Sequence, residues 1–234
     1  MLKIMKINTA LILCAGYGKR LNPITLTKPK PLLKIRDKCL LSQTIELIIS
    51  LGIKDIKLNT FYLSDQIVNY VRSSPYKNQI EIINDGNKIL DTGGGVKHMM
   101  KYSKSSDFII FNPDTLWSGA YKNIILDMIN LYEKQQYNNI LLVVNKKKSF
   151  DKKLKGDFQL NENKLSKENI NQYIYTGVQV INKDLLNNIK KKNFSMNTVW
   201  NEQINRKNLN GFESKNKFIH LTNIDIYNYF LKDY

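Results

Sequence analysis

The chain has 234 residues, 42% hydrophobic and 24% charged, enough for one sizeable globular domain with a proper core. No stretch approaches the roughly 18 apolar residues of a membrane-spanning helix, and the apolar run 10–15 behind the basic stretch 1–9 is too short for a secretory signal, so a cytoplasmic address is expected. The net charge of +16 comes almost wholly from Lys spread along the chain beside abundant Asn and Ile, which reads as compositional drift; with no reading helix and no aromatic RNA-binding pattern, neither nucleic acid nor membrane is an expected partner.

In chain order, 7–13 is a mostly apolar run that predicts a buried strand, running into a tight turn at Cys14-Ala15-Gly16-Tyr17-Gly18. Pro23, Pro29 and Pro31 predict a loop without regular structure. Ser42 is placed to cap a helix carrying Ile45, Leu47, Ile48, Ile49 and Leu51, and Gly52 to end it. Residues 53–58 alternate as a second strand, 63–71 suit a helix and 80–83 a third strand. Gly93-Gly94-Gly95 opens a helix to about Tyr102. Residues 107–111 read as a fourth strand, 124–132 as a helix and 140–144 as a fifth strand.

The second half changes character. Residues 158–160 and 164–166 flank Asn-Glu-Asn as a hairpin, 173–181 form a long strand and 184–189 a short helix. Residues 218–221 predict a strand, followed by a last helix from about Ile224, with Asn223 suited to its N-cap. Strands alternating with helices at this spacing imply βαβ crossovers, hence an α/β fold with a mainly parallel sheet covered on both faces. Cys14 and Cys39 lack a metal-ligand spacing and read as free thiols. Lys146-Lys147-Lys148 and Lys190-Lys191-Lys192 read as solvated turns.

Ligands of open α/β sheets bind beyond the C-terminal ends of the strands. The small residues of the Ala15-Gly16-Tyr17-Gly18 turn let backbone N–H groups close on phosphate oxygens, and Arg20 can fork onto a polyphosphate. The spacing is neither a P-loop nor a dinucleotide fingerprint. In Thr27-Lys28-Pro29-Lys30-Pro31-Leu32-Leu33, prolines bracket Lys30, as befits an ammonium aimed at a phosphoryl group. Asp114, just beyond the fourth strand, suits an oxygen-seeking Mg²⁺ that bridges phosphates, or else an Asx turn after Pro113. Thr92 and Gly93 fall on a loop after the third strand, near a base edge, unless the glycines supply only flexibility. Asp157 starts a hairpin or serves a ligand. His98 reads as structural.

Together, A-G-x-G-x-R-L and P-K-P-L resemble the signature of the sugar-phosphate nucleotidyltransferases. The similarity continues in order: Asp91-Thr92-Gly93-Gly94-Gly95 resembles E-T-G-G-G of the N-acetylmuramate-1-phosphate uridylyltransferase branch. Asn112-Pro113-Asp114-Thr115-Leu116-Trp117 resembles its N-G-D-x-W, Gly156-Asp157-Phe158-Gln159-Leu160 its G-D-F-x-L, and Tyr175-Thr176-Gly177 a strand ending at the sugar. The resemblance implies a Rossmann-like domain over 1–234, with 1–145 binding nucleotide and metal, and 146–234 binding the sugar phosphate and ending in a closing helix.

The implied partners are a nucleoside triphosphate, UTP, and a sugar 1-phosphate, N-acetylmuramic acid 1-phosphate, in peptidoglycan recycling, with Mg²⁺ as cofactor or Mn²⁺ in its place. Arg20 and Lys30 are the implied catalytic residues. Leu13, Ala15, Gly16, Gly18, Thr92 and Gly93 hold the nucleotide, and Asn112, Asp157 and Gly177 contact the sugar. Asp114 and His220 stand at the metal. The family usually closes its site with W-x-D-V-G-T, whose Asp is a second ligand; here Phe218-Ile219-His220-Leu221-Thr222-Asn223 puts His in that place, and imidazole favours metals softer than Mg²⁺. Two other readings stay open. One is the same chemistry on another hexose 1-phosphate or on phosphocholine with CTP or GTP. The other is a nucleotide-binding module without turnover.

Overall fold

Residues 7–232 are described by the computed structural model, so residues 1–6 of the basic N-terminal stretch lie outside it. In chain order the elements are β1 (Thr9–Leu13), β2 (Lys34–Ile35), β3 (Lys38–Cys39), α1 (Leu40–Ser50), β4 (Asp55–Thr60), α2 (Ser64–Ser73), β5 (Ile80–Asn84) and α3 (Asp91–Met100). There follow β6 (Asp107–Phe111), α4 (Tyr121–Gln135), β7 (Asn139–Asn145), β8 (Gln159–Asn161), β9 (Lys164–Ser166) and β10 (Tyr173–Asn182). The last are α5 (Asp184–Asn187), α6 (Met196–Asn205), β11 (Gly211–Ser214) and α7 (Ile224–Lys232).

Seven strands form one sheet in the order β11-β7-β10-β6-β1-β4-β5. All neighbours pair parallel except β10, which runs antiparallel to both β6 and β7. The unbroken apolar runs conceal a period of two that sorts each strand onto two buried faces. Ala10, Ile12, Ile109, Phe111, Ile140 and Leu142 pack with Ile45 and Ile48 of α1, Ile67 of α2 and Ile125 of α4. Leu11, Ile110, Leu141 and Val143 face the other way, onto Val96 and Met99 of α3 and Val199 and Trp200 of α6.

From β1 the chain moves outward through β4 and β5, then returns to place β6 on the other flank of β1. The order therefore reverses between β1 and β6, and a crevice opens beyond their C-terminal ends. The turn after β1 and the segment after β6 meet there. A third cluster closes the structure over this loop region: Tyr227 and Phe230 of α7 pack with Leu21, Leu33, Ile35 and Leu40.

Several local expectations are corrected. The proline-rich loop is not devoid of regular structure but forms three 3₁₀ turns at 19–21, 24–26 and 30–32. Extended Pro29 caps the last, where the fixed proline φ of Pro31 suits a first turn. Cys39, not Ser42, caps α1, its Sγ accepting from the N–H of Ser42 at 3.4 Å. Residues 218–221 do not make a strand; they join neighbours only through isolated bridges at Phe218 and His220. The predicted hairpin is β8–β9, and Asn223 caps α7 by accepting from the N–H of Ile226 at 3.0 Å. Sequence reading missed α6 and β11, both short and rich in polar residues.

Candidate active site

The turn after β1 presents a row of unpaired donors. Cys14 N–H is bonded to the side chain of Asn59 at 2.9 Å, but among the described residues the N–H groups of Ala15, Gly16, Tyr17 and Gly18 find no acceptor. Free peptide donors on a tight turn form an anion-binding concavity. Gly18 makes the turn possible: its φ is +66°, and an added Cβ would press within 3.1 Å of both Thr25 and Lys30. Thr25 Oγ1 donates to the Gly18 carbonyl at 3.0 Å, fastening the turn to the proline-rich loop.

That loop delivers Lys30 to Asp114. Lys30 Nζ lies 2.7 Å from Asp114 Oδ2, and both side chains are largely buried, at 12% and 19% exposure. Burial pushes the Asp114 carboxyl upward, but His220, which is protonated in the acid range where this carboxyl titrates, together with Lys30 and Arg20, outweighs it and holds the group below the usual carboxylate range. Its second oxygen, Oδ1, is buried with no hydrogen-bond partner among the described residues. A buried ionised oxygen left bare is costly unless a cation or donor comes to it. Arg20 is exposed at the rim, among the residues lining the crevice.

The segment carrying His220 is laced between two neighbours. Leu221 N–H donates to the Asp114 carbonyl and Leu116 N–H to the Ile219 carbonyl, each at 2.9 Å, while Phe150 N–H donates to the Phe218 carbonyl at 2.8 Å. This sets His220 Nε2 3.5 Å from Asp114 Oδ2. Burial pushes the imidazole below its ordinary value, Asp114 opposing and Lys30 and Arg20 reinforcing, so it is neutral near pH 7. Thr115 Oγ1 gives its proton to the Thr176 carbonyl at 2.8 Å, so toward His220 Nδ1, at 3.4 Å, it can only accept. In the tautomer that donates from Nδ1 to Thr115, Nε2 keeps its lone pair and turns it toward the carboxylate. Two acceptors in that arrangement, next to the unpartnered Oδ1, fit a divalent cation. Among the described residues no group of three or more His, Cys, Asp or Glu could hold a metal ion.

Thr92 and Gly93 do not lie on a loop; they occupy the first turn of α3. The three glycines serve close packing there. An added Cβ would meet the Phe194 ring at 2.4 Å from Gly93 and the Lys192 carbonyl at 2.2 Å from Gly94. Met196 N–H donates to Thr92 Oγ1 at 2.9 Å and Gly94 N–H to the Phe194 carbonyl at 3.0 Å, so residues 192–196 clasp the start of α3.

Leu13, Ala15, Gly16, Gly18, Arg20, Lys30, Thr92, Asn112 and Asp114 line one cleft of about 340 Å³. Four of the predicted site residues stand outside its lining. Gly93 is buried beneath Phe194. His220 stands behind Asp114. Gly177 lies against Asn112, whose N–H donates to its carbonyl at 2.8 Å. Asp157 accepts from Tyr175 N–H at 2.9 Å, and burial raises its carboxyl. Sequence reading did not single out Asn59 or Ile89, which also line the cleft, and gave Asp91 of the Asp91–Gly95 motif no role, though it lines the cleft too. Nor did it single out the Tyr175 hydroxyl, which is buried with no hydrogen-bond partner among the described residues. Asn59 and Tyr175 sit within β4 and β10, where a sequence offers only strand periodicity.

Residues 9–154 match the family described as nucleotidyl transferase. The chain is similar to N-acetylmuramate alpha-1-phosphate uridylyltransferase of Caulobacter vibrioides, with 22% identity over 82% of each chain. It is also similar to the bifunctional protein GlmU of Methanococcus maripaludis, with 34% identity over 50% of this chain but only 27% of that one. Among solved structures, UDP-glucose pyrophosphorylase complexed with UDP-glucose shares the fold at a TM-score of 0.76 and 19% identity, covering 97% of this chain and 100% of the other.

Proposed function

The chain belongs to the nucleotidyl transferase family as a sugar-1-phosphate nucleotidyltransferase, and from that premise we propose that it joins N-acetylmuramic acid 1-phosphate to UTP, releasing pyrophosphate. The relative from Caulobacter supports this choice of substrates, since its similarity runs over 82% of both chains. Recycling of cell-wall sugar is the setting such a substrate implies. The observation that carries the catalytic reading is the Asp114 carboxylate with its bare Oδ1, set between Lys30 and His220 beside a turn of unpaired N–H groups.

In this reading an oxygen of the sugar 1-phosphate attacks the α-phosphorus of the nucleotide in line, and the bond to the β-phosphate oxygen breaks. Such chemistry asks the protein for positioning and charge neutralisation rather than a covalent intermediate. The turn at Ala15, Gly16 and Gly18, with Leu13, receives the nucleotide, and Thr92 on α3 stands at the base end. Thr92 Oγ1 already accepts from Met196 N–H, so its proton remains available to donate. Gly93 acts from behind, by letting α3 pack close. Arg20 takes the β- and γ-phosphates, and Lys30 the charge gathering around the α-phosphorus. Asn112, Asp157 and Gly177 serve the sugar side. Asp114, with His220 beside it, would hold a divalent ion, Mg²⁺ or Mn²⁺, which when bound would neutralise negative charge on the phosphates. In this division residues 1–145 serve nucleotide and metal, joined there by His220, and 146–234 serve the sugar phosphate, joined there by Asn112.

The test is pyrophosphate release from each of four nucleoside triphosphates paired with several sugar 1-phosphates and phosphocholine, with either metal. Turnover is expected to be greatest with UTP and N-acetylmuramic acid 1-phosphate. A preference of tenfold or more for another pair would replace the substrates, and nucleotide binding without pyrophosphate release under any condition would overturn the enzyme reading.

A further inference from the structure

We propose that Asn59 is a positioning residue for nucleotide binding, which sets the phosphate-facing turn by bridging the ends of three strands. It rests on the nucleotide reading of the turn at Gly16. The parallel pairing of β1 with β4 ends at the Leu13–Asn59 register. One residue further on, no backbone carbonyl of β4 takes up Cys14 N–H; the Asn59 side chain does so instead, its Oδ1 accepting at 2.9 Å. The other end of the amide, Nδ2, donates to Asp85 Oδ2 at 2.9 Å. Asp85 follows β5 and is held in turn by its own N–H, which donates to the Thr60 carbonyl at 2.9 Å. Its other oxygen stands 3.6 Å from Nδ1 of His98 on α3. A side-chain tie thus continues the hydrogen bonding of β1, β4 and β5 past the point where their backbones part.

The residue type follows from its neighbours. One side presents a donor that cannot accept, the other a carboxylate, and the two ends of an amide answer both without adding charge. Asn59 is 1% exposed, so an unanswered group there has no water to turn to. Room is made by Gly95, where a Cβ would come within 2.7 Å of Asn59 Nδ2. Cys14 is the last residue of the turn with a bonded N–H; the next four are the free donors of the cleft. Because peptide units are planar, fixing the Cys14 amide fixes the plane from which that run of donors starts. Asn59 also lines the cleft itself.

The experiment first titrates the wild type with each nucleoside triphosphate and Mg²⁺, then follows the best binder in three variants with both KM values measured separately. Asn59→Leu and Asn59→Asp are each expected to raise the nucleotide KM about tenfold or more, as loss of a buried hydrogen bond implies, with the sugar-phosphate KM within about twofold of wild type. In the double variant Asn59→Asp with Asp85→Asn, the carboxylate at 59 accepts both from Cys14 N–H and from the new amide. It is expected to recover the nucleotide KM to within about threefold. If Asn59→Leu does not fold, the Asn59→Asp single and the double variant carry the comparison. A folded variant with a lowered Tm but an unchanged nucleotide KM would make Asn59 merely structural and overturn the proposal, as would a double variant no better than Asn59→Asp. A wild type that binds no nucleoside triphosphate removes the nucleotide reading and the proposal with it.

Discussion

The hydroxyl of Thr115 faces one nitrogen of His220 while the Asp114 carboxylate faces the other. The hydroxyl's proton is committed to the Thr176 carbonyl at 2.8 Å, so toward Nδ1, at 3.4 Å, it can only accept; the tautomer that donates there leaves Nε2 a lone pair 3.5 Å from the carboxylate. A neutral imidazole lone pair is a good ligand for Mn²⁺ and a poor one for Mg²⁺. Wild type is therefore expected to turn over several-fold faster with Mn²⁺ than with Mg²⁺ at equal concentration, and His220→Asp to reverse that order. Steady-state rates of both proteins across a titration of each metal make the comparison. An unchanged metal ratio in His220→Asp would show that His220 only packs beside the site, where it stacks on Phe218.

Lys30→Ala is expected to lower kcat by about 10²-fold or more with the fold retained, because the ammonium acts on developing charge. Circular dichroism checks the fold and single-turnover kinetics the chemical step. A kcat near wild type would remove Lys30 from the mechanism and leave it as the counter-ion of Asp114.

Asp114→Asn is expected to abolish metal-dependent turnover while nucleotide still binds the turn at Gly16 and Gly18. It also carries a pH signature. The folded-state carboxyl lies below its unfolded value, so its stabilising contribution is present above the ordinary carboxyl range, about pH 4, and is lost as pH falls through the lower folded value. In EDTA, the Tm gap between wild type and Asp114→Asn should be present at neutral pH, hold or grow as His220 gains its proton in mild acid, and narrow below about pH 4. A gap independent of pH would show that the Lys30 pairing contributes nothing to stability.

Two glycines should behave oppositely. An added Cβ at Gly16 meets nothing within 4 Å, whereas at Gly94 it lies 2.2 Å from the Lys192 carbonyl. Gly94→Ala is expected to cost roughly 1–3 kcal/mol, as overpacking does. Gly16→Ala should keep its Tm but raise the nucleotide KM several-fold, since the methyl group enters the phosphate cleft. Denaturant titration and kinetics on both variants separate the two effects; equal losses of stability would refute the contrast.

Legibility in the sequence followed locality. Residues 107–111 read as a strand with the bounds of β6 because every residue there is apolar but the first, and the cleft side of Asp114 followed from its place at the strand end. The Pro-bracketed Lys30 was likewise readable, since the prolines act on their own neighbours. What stayed hidden depends on distant partners. Asn59 looks like one more polar residue of a strand until β5 brings Asp85 beside it. The helix opened by Gly93-Gly94-Gly95 was readable, but the need for glycine there shows only where residues 192–196 cross it. Helix α6 carries too few apolar positions to announce its period, and its burial comes from Trp200 and Val199 meeting the far face of the sheet. The Cys39 cap was missed because sulfur is a weak acceptor and Ser42, three residues on, is the commoner capping type.

The packing of α7 over the proline-rich loop ties the phosphate end of the cleft to residues 224–232. Tyr227 and Phe230 are the cover for Leu21 and Leu33, and between those two leucines stands Lys30. Loss of residues 224–232 would therefore uncover the apolar side of the loop that carries Lys30, so α7 supports the phosphate end of the cleft without lining it.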